Sequence, residues 1–230
     1  MTTARGSDPE RALQDFISDM EQLCSGAKSM LNYIHISAVF SASAKVLVTA
    51  LGNRNFHSVQ QAAHHGVAAF LCDMSHLLHP MLTETAARNV SSILWASAKI
   101  GVRPDCLAFV ADLTDRFLYL TRRPTATERP NAQDVSNVLW ALATMKHTTT
   151  SSASVVDACC VQFSSLLRTP EAAKQPTAQV CANVLWALAS PEHTPKDETF
   201  VGLCCEHVSL LIKSSDAAQQ PTAPGCANTL

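Results

Sequence analysis

Apolar residues return at relative positions 0, 3, 7 and 10 in five separate stretches of this chain. They are Leu13, Phe16, Met20 and Leu23, then Val67, Phe70, Met74 and Leu77, then Val110, Leu113, Phe117 and Leu120. Val156, Cys159, Phe163 and Leu166 follow, and finally Val201, Cys204, Val208 and Leu211. That spacing marks one face of a helix with 3.6 residues per turn, so each stretch predicts an amphipathic helix, here helix B. Asp8 and Pro9 suit the N-cap and first turn of the first B helix, and Pro104 and Pro195 stand where later B helices are expected to begin.

A second element alternates with the first. The segments "VSSILWASAKI", "VSNVLWALATM" and "CANVLWALASP" align without gaps on Trp95, Trp140 and Trp186, which are 45 and 46 residues apart. "ISAVFSASAKV" matches them with Ser41 in the tryptophan position, a degenerate copy. Asn137, Asn183 and Asn228 share one register, and Pro130, Pro176 and Pro221 another, so the last nine residues begin a further copy. Asn131 and Thr177 each follow a proline and precede a Trp-bearing segment, as N-caps do. The segment is helix A.

The order helix A, loop, helix B, loop predicts an all-α fold. One such hairpin cannot bury both its apolar faces, so neighbours must stack into a curved α-solenoid of helical-hairpin repeats. The expected division is 1–31 (helix remnant of a preceding repeat), 32–80 (degenerate repeat), 81–130, 131–176 and 177–221 (repeats), and 222–230 (the start of another). Opening on an unpaired helix B and ending inside a helix A, the chain reads as a fragment of a longer array.

At 100° per residue, Val135, Val138, Leu139, Leu142 and Met145 gather on one side of helix A, and Gln133, Asn137, Trp140 and Thr144 on the other. The equivalent stripe is Arg88, Ser92, Trp95 and Lys99 one repeat earlier, Gln179, Asn183, Trp186 and Ser190 one repeat later, and Ile34, Ala38, Ser41 and Lys45 in the degenerate copy. Two roles for this stripe stay open. In one, Trp fills the gap between repeats and Asn satisfies partners along the stack. In the other, the varied polar positions meet a ligand, and amides and hydroxyls beside an indole suit single-stranded RNA.

Composition narrows the functions. Apolar residues make up 47% of the 230 residues and charged ones only 16%, with a formal net charge of -2 and no block of like charge. Electrostatics alone therefore point neither to nucleic acid nor to an anionic membrane. The longest apolar stretch, 36–51, is broken by Lys45 and serines, so no membrane span is expected. Nine cysteines, an odd number with two adjacent pairs, fit a reducing compartment better than a disulfide scaffold. Cys159 and Cys160, and Cys204 and Cys205 near His207, lie in helix B's buried register and lack the spacing of a zinc site, so packing is expected and no metal. His64, His65, His76 and His79 are expected to be solvated or to cap helices.

With seven glycines and neither a phosphate loop, a nucleophile elbow nor paired carboxylates, the sequence reads as no enzyme, with no cofactor and no small-molecule substrate. The densest positive cluster, "LTRRPTATER", offers Arg122, Arg123 and Arg129 as candidate phosphate contacts. The opening "MTTARGSDPERALQDF" is acidic by position 8 and resembles neither a secretion signal nor a transit peptide.

The segments "QDVSNVLWALATM", "AQVCANVLWALAS" and "MLNYIHISAVFSASAK" resemble the octotricopeptide repeat proteins of green algae, relatives of the FAST-kinase-like, RAP-domain proteins of organelles. The resemblance runs from about Leu13 onward, although the units here are longer and no RAP domain is present. It implies an α-solenoid that binds a chosen chloroplast or mitochondrial transcript and governs its stability, processing, splicing or translation, alongside other proteins of a ribonucleoprotein complex. It also implies that the repeats do no catalysis. The expected RNA contacts on helix A are Arg88, Ser92, Lys99, Gln133, Asn137, Thr144, Gln179, Asn183 and Ser190, with Trp95, Trp140 and Trp186 as structural repeat positions. The rival expectation is a non-catalytic protein-interaction scaffold using the same surface.

Overall fold

The computed structural model describes residues 9–51, 57–101, 106–123, 125, 129–146, 150–171, 175–190, 195–197 and 199–213. Among the described residues every regular element is helical. The B helices are α1 (Pro9–Gly26), α3 (His57–Leu78), α5 (Leu107–Thr121), α7 (Thr150–Leu167) and α9 (Thr199–Lys213). The A helices are α2 (Tyr33–Leu51), α4 (Ala87–Ile100), α6 (Ala132–Met145) and α8 (Ala178–Leu188). Short 3-10 turns cover Lys28–Met30 and His79–Glu84. None of the described helices is long and apolar enough to cross a membrane.

The helices group into two compact units: described residues within 1–85 and 96–109 form the first, and those within 86–95 and 110–230 the second. In the first unit α1 packs on α2 and α3, and α2 on α3. Gly66 of α3 faces α1, with Ile17 Cδ1 3.4 Å from where a β-carbon would stand, an ordinary van der Waals distance. Ile36, Phe40, Leu47, Phe70 and Leu78 fill its core, where the rings of Phe40 and Phe109 sit 6.3 Å apart.

In the second unit α6 lies against α8 and α7 against α9, while α6 pairs with α7 and α8 with α9. A helices therefore touch A helices and B helices touch B helices, the stacking of hairpins that makes an α-solenoid. Leu113, Phe117, Leu139, Leu142, Phe163 and Phe200 are among its largest buried side chains. Phe163 of α7 meets Phe200 of α9 edge-on with ring centroids 6.0 Å apart, an aromatic contact worth about 0.5–1.5 kcal/mol beyond the area it buries.

The expected N-caps of α6 and α8 form. Asn131 accepts from the Asp134 N–H while Asp134 accepts from the Asn131 N–H, a complete capping box, and Thr177 accepts from the Val180 N–H. Helix α6 ends on Lys146 in the left-handed region (φ 50°), and α4 on Gly101 (φ 85°), the same register position one repeat earlier.

Several expectations shift by one residue. Leu77 and Leu166 are half-buried while Leu78 and Leu167 are buried, and Leu23 and Val201 are exposed while Cys24 and Phe200 are buried. The reason is geometric: each B helix meets neighbours over a wide arc, and a neighbouring position only 100° away carries an equally apolar residue. Cys205 is likewise exposed rather than packed, unlike Cys159, Cys160 and Cys204. Pro195 does not open α9; Asp197 does, accepting from the Thr199 N–H at 2.9 Å and from the Thr199 hydroxyl at 2.6 Å. Asp8, Pro104 and the 222–230 copy lie outside the described residues, as do the side chains of His64 and His65.

Candidate functional site

The polar stripe of helix A reaches the surface in each copy. On α6, Gln133 and Thr144 are exposed and Asn137 and Trp140 half-buried; on α8, Gln179 and Asn183 are half-buried and Trp186 is 44% exposed, and Ser190, two residues past the helix end, is half-buried. On α4, Arg88 and Lys99 are exposed and Ser92 and Trp95 half-buried; on α2, Ile34, Ala38 and Lys45 are exposed and Ser41 half-buried. On the apolar side Val135, Val138, Leu139 and Leu142 are at most 1% exposed, while Met145, the last residue of α6, is only half-buried.

Across α6 and α8 the stripe repeats its chemistry. Gln133 Nε2 donates to Asn137 Oδ1 at 2.8 Å, and Gln179 Nε2 donates to Asn183 Oδ1 at 2.9 Å. These are i, i+4 pairs, which hold each other's rotamers on a helix surface. An amide pair joined by one hydrogen bond still offers both donors and acceptors outward. Gln179 Oε1 is a buried acceptor with no partner. Beside these pairs Trp140 and Trp186 stack, with ring centroids 6.3 Å apart and planes 27° from parallel. The indoles thus bridge successive repeats, and Trp186 keeps a large exposed area.

The arginines are placed differently. At the end of α5, Arg123 Nη1 donates to the Tyr119 hydroxyl at 2.9 Å, and the guanidinium carbons of Arg116 and Arg123 lie 5.1 and 5.6 Å from the centre of that ring. Burial lowers the Arg116 pKa. Arg129 Nε donates to the Arg123 carbonyl, which ties the loop back on itself, and Arg122 is exposed. Of the three sequence-picked arginines, Arg129 lines a groove of about 820 Å³ together with Asn131, Gln133, Gln162, Gln175 and Thr177, at the N-terminal ends of α6 and α8. Arg129 and Gln133 are therefore brought together there.

Two polar devices behind the stripe were not apparent from periodicity. Ser91 Oγ of α4 lies 2.8 Å from Asp134 Oδ1 of α6, a buried link between successive A helices. Burial pushes the Asp134 carboxyl above the usual carboxylate range, against the opposing pull of the Ser91 and Asn131 hydrogen bonds and the Arg88 charge. One repeat on, Ser136 and Val180 hold the positions of Ser91 and Asp134, and the buried Ser136 hydroxyl has no partner. The second device is a latch from helix B. Gln162 Nε2 donates to the Pro130 carbonyl at 3.0 Å, and its register equivalent His207 places Nε2 2.8 Å from the Pro176 carbonyl. A carbonyl only accepts, so His207 carries its proton on Nε2. The sequence signal for both was the recurring proline before helix A.

Four thiols of the second unit are buried within the helix packing. Burial pushes Cys160, Cys181 and Cys204 up to about 12 and Cys159 well above its ordinary value. Among the described residues no group of three or more His, Cys, Asp or Glu side chains is placed to hold a metal ion. His76 and His79 are exposed. No family model, no curated protein and no solved structure matches the chain.

Proposed function

We propose that the helix-A stripe of the second unit binds single-stranded RNA. The observation that carries this reading is the duplicated Gln–Asn pair beside two stacked indoles, held in one register on α6 and α8. Amide groups match the donor and acceptor edges of bases, and an exposed indole is a platform for stacking. Arg88, Ser92, Thr144 and Ser190 extend the candidate contacts of this unit, Lys99 is a separate candidate contact in the first unit, and Arg122, Arg123 and Arg129 are the candidate phosphate partners. In keeping with the octotricopeptide resemblance, the proposed ligand is an organellar transcript of chloroplast or mitochondrion. The proposed role is in its stability, processing or translation within a ribonucleoprotein complex.

None of the eight stripe positions on α6, on α8 and just past the end of α8 bears a formal charge, so most of the binding energy is expected from bases rather than phosphates, with a shallow salt dependence. The same neutrality is the specific observation that favours a second reading, a protein-interaction scaffold using this surface.

The test is retention of labelled single-stranded RNA pools by the purified chain and by a variant carrying Asn137→Ala and Asn183→Ala. Loss of about 5- to 150-fold in affinity, equivalent to roughly 1–3 kcal/mol, is expected if even one base contact goes. Equal retention by both proteins excludes this face, and no retention by either favours the scaffold.

A further inference from the structure

The loops leading into α6 and α8 are tied back in the same way. Gln175 Nε2 donates to the Thr169 carbonyl at 2.7 Å, and Arg129 Nε donates to the Arg123 carbonyl. Each donor directly precedes the proline before helix A and reaches back six residues, so the two ties share one register. An amide is therefore sufficient for the tie. A guanidinium adds a full charge and five N–H donors, of which the tie takes one.

That charge stands at one end of the neutral stripe. Arg129 lines the groove of about 820 Å³ together with Gln133, the first stripe residue of α6, and with Ser165, Thr169 and Glu171. The volume suits a nucleotide, since ligand pockets span about 300–1,000 Å³. Beside Arg129, the Arg123 guanidinium is held on the Tyr119 hydroxyl at 2.9 Å and Arg122 is exposed.

We propose that single-stranded RNA lying along the stripe leaves it at Gln133 and continues over this loop edge, with one further nucleotide in the groove, its phosphate on Arg129 and the next phosphates toward Arg123 and Arg122. The inference rests on the RNA reading above and adds a path and a direction to it. Charge decides the direction: the stripe positions of α6 and α8 are neutral, and phosphate oxygens bind guanidinium forks strongly. Glu171 decides the orientation, because a carboxylate repels phosphate and accepts from the amino groups of bases. Adenine, cytosine and guanine carry an exocyclic amino group and uracil does not, so uracil is disfavoured in the groove.

Fluorescence anisotropy of labelled oligo(A), oligo(C) and oligo(U) RNAs, titrated at several salt concentrations, tests this with Arg129→Gln and Glu171→Gln. Both side chains are exposed, and Gln175 already makes the tie in the next loop, so both variants are expected to fold, as thermal melts will show. Arg129→Gln is expected to weaken binding roughly 10-fold and to lower the slope of log affinity against log salt by about 0.7. The stripe variant Asn137→Ala with Asn183→Ala should lose affinity at an unchanged slope. Glu171→Gln is expected to narrow the preference for oligo(A) and oligo(C) over oligo(U). RNA binding that the stripe variant weakens and Arg129→Gln leaves intact overturns this inference while the stripe reading stands; a wild type that binds none of the RNAs overturns both. An Arg129→Gln loss at an unchanged salt slope also overturns it, since no phosphate contact has then gone, and a base preference untouched by Glu171→Gln overturns the orientation.

Discussion

Asp134 offers the sharpest test of how successive A helices are joined. Its Oδ2 accepts from the Asn131 N–H at 3.1 Å and its Oδ1 faces Ser91 Oγ at 2.8 Å, with only 5% of the residue exposed. Asp134→Ala removes both acceptors and half of the capping box, and leaves the Asn131 N–H without its partner; a loss of about 1–3 kcal/mol is expected. Asp134→Asn differs in kind. Its amide oxygen keeps the Asn131 N–H, and its NH₂ turns to Ser91 Oγ, whose own proton already has the Arg88 carbonyl at 3.0 Å. Every polar atom stays paired and only the buried charge disappears, so the Asn variant is expected at or above wild-type stability at neutral pH, within roughly 1 kcal/mol.

The pH dependence gives the sign. The folded-state pKa of Asp134 is raised, so as pH climbs past the ordinary aspartate value the unfolded chain releases this proton first. Its contribution to stability therefore falls from the ordinary value up through the raised one, and is flat above. The advantage of Asp134→Asn over wild type should then grow with rising pH and vanish below about pH 4. Urea unfolding followed by circular dichroism between acid and neutral pH measures it. An Asn variant as damaged as Ala at neutral pH, or one whose advantage grows toward acid, would refute the reasoning.

Other substitutions probe neighbouring features. Ser136→Ala deletes a buried hydroxyl that has no partner, so thermal melts should show stability unchanged or raised by up to about 1 kcal/mol, whereas Ser91→Ala should lose about that amount. Lys146→Gly relieves a left-handed backbone that Gly101 already adopts one repeat earlier, and a gain of roughly 0.5–1 kcal/mol in chemical denaturation is expected. Thiol labelling of the dilute native chain at pH 8 should modify Cys205 and spare Cys159, Cys160, Cys181 and Cys204 until it unfolds, because burial keeps those four protonated; native-state labelling of Cys160 would contradict the packing described.

The stripe residues were legible in the sequence because helical periodicity is a local property. Gln133 and Asn137 share a face whatever surrounds the helix, and their counterparts Gln179 and Asn183 repeat the arrangement. The stacking of Trp140 on Trp186 was not legible, since two indoles one repeat apart sit equally well in a gap or on a surface until the approach of α6 to α8 is set. The latches from Gln162 and His207 escaped notice for a related reason. A glutamine and a histidine share no sequence signature, and only the path of the chain over 32 and 31 residues makes both donors to a proline carbonyl.

Repetition of apolar residues at helical and supra-helical spacing was enough, by itself, to dictate the class of fold, the alternation of A and B helices and the two faces of helix A. Those features follow from backbone geometry and from hairpins too small to bury their own surfaces. Which flank of each B helix is covered was decided only by tertiary structure, and the adjacent cysteine pairs make the point: Cys160 and Cys205 occupy one register, yet one is sealed beneath α9 and the other open. Burial is a property of neighbours, and a residue's own sequence carries no record of whether a neighbour is there.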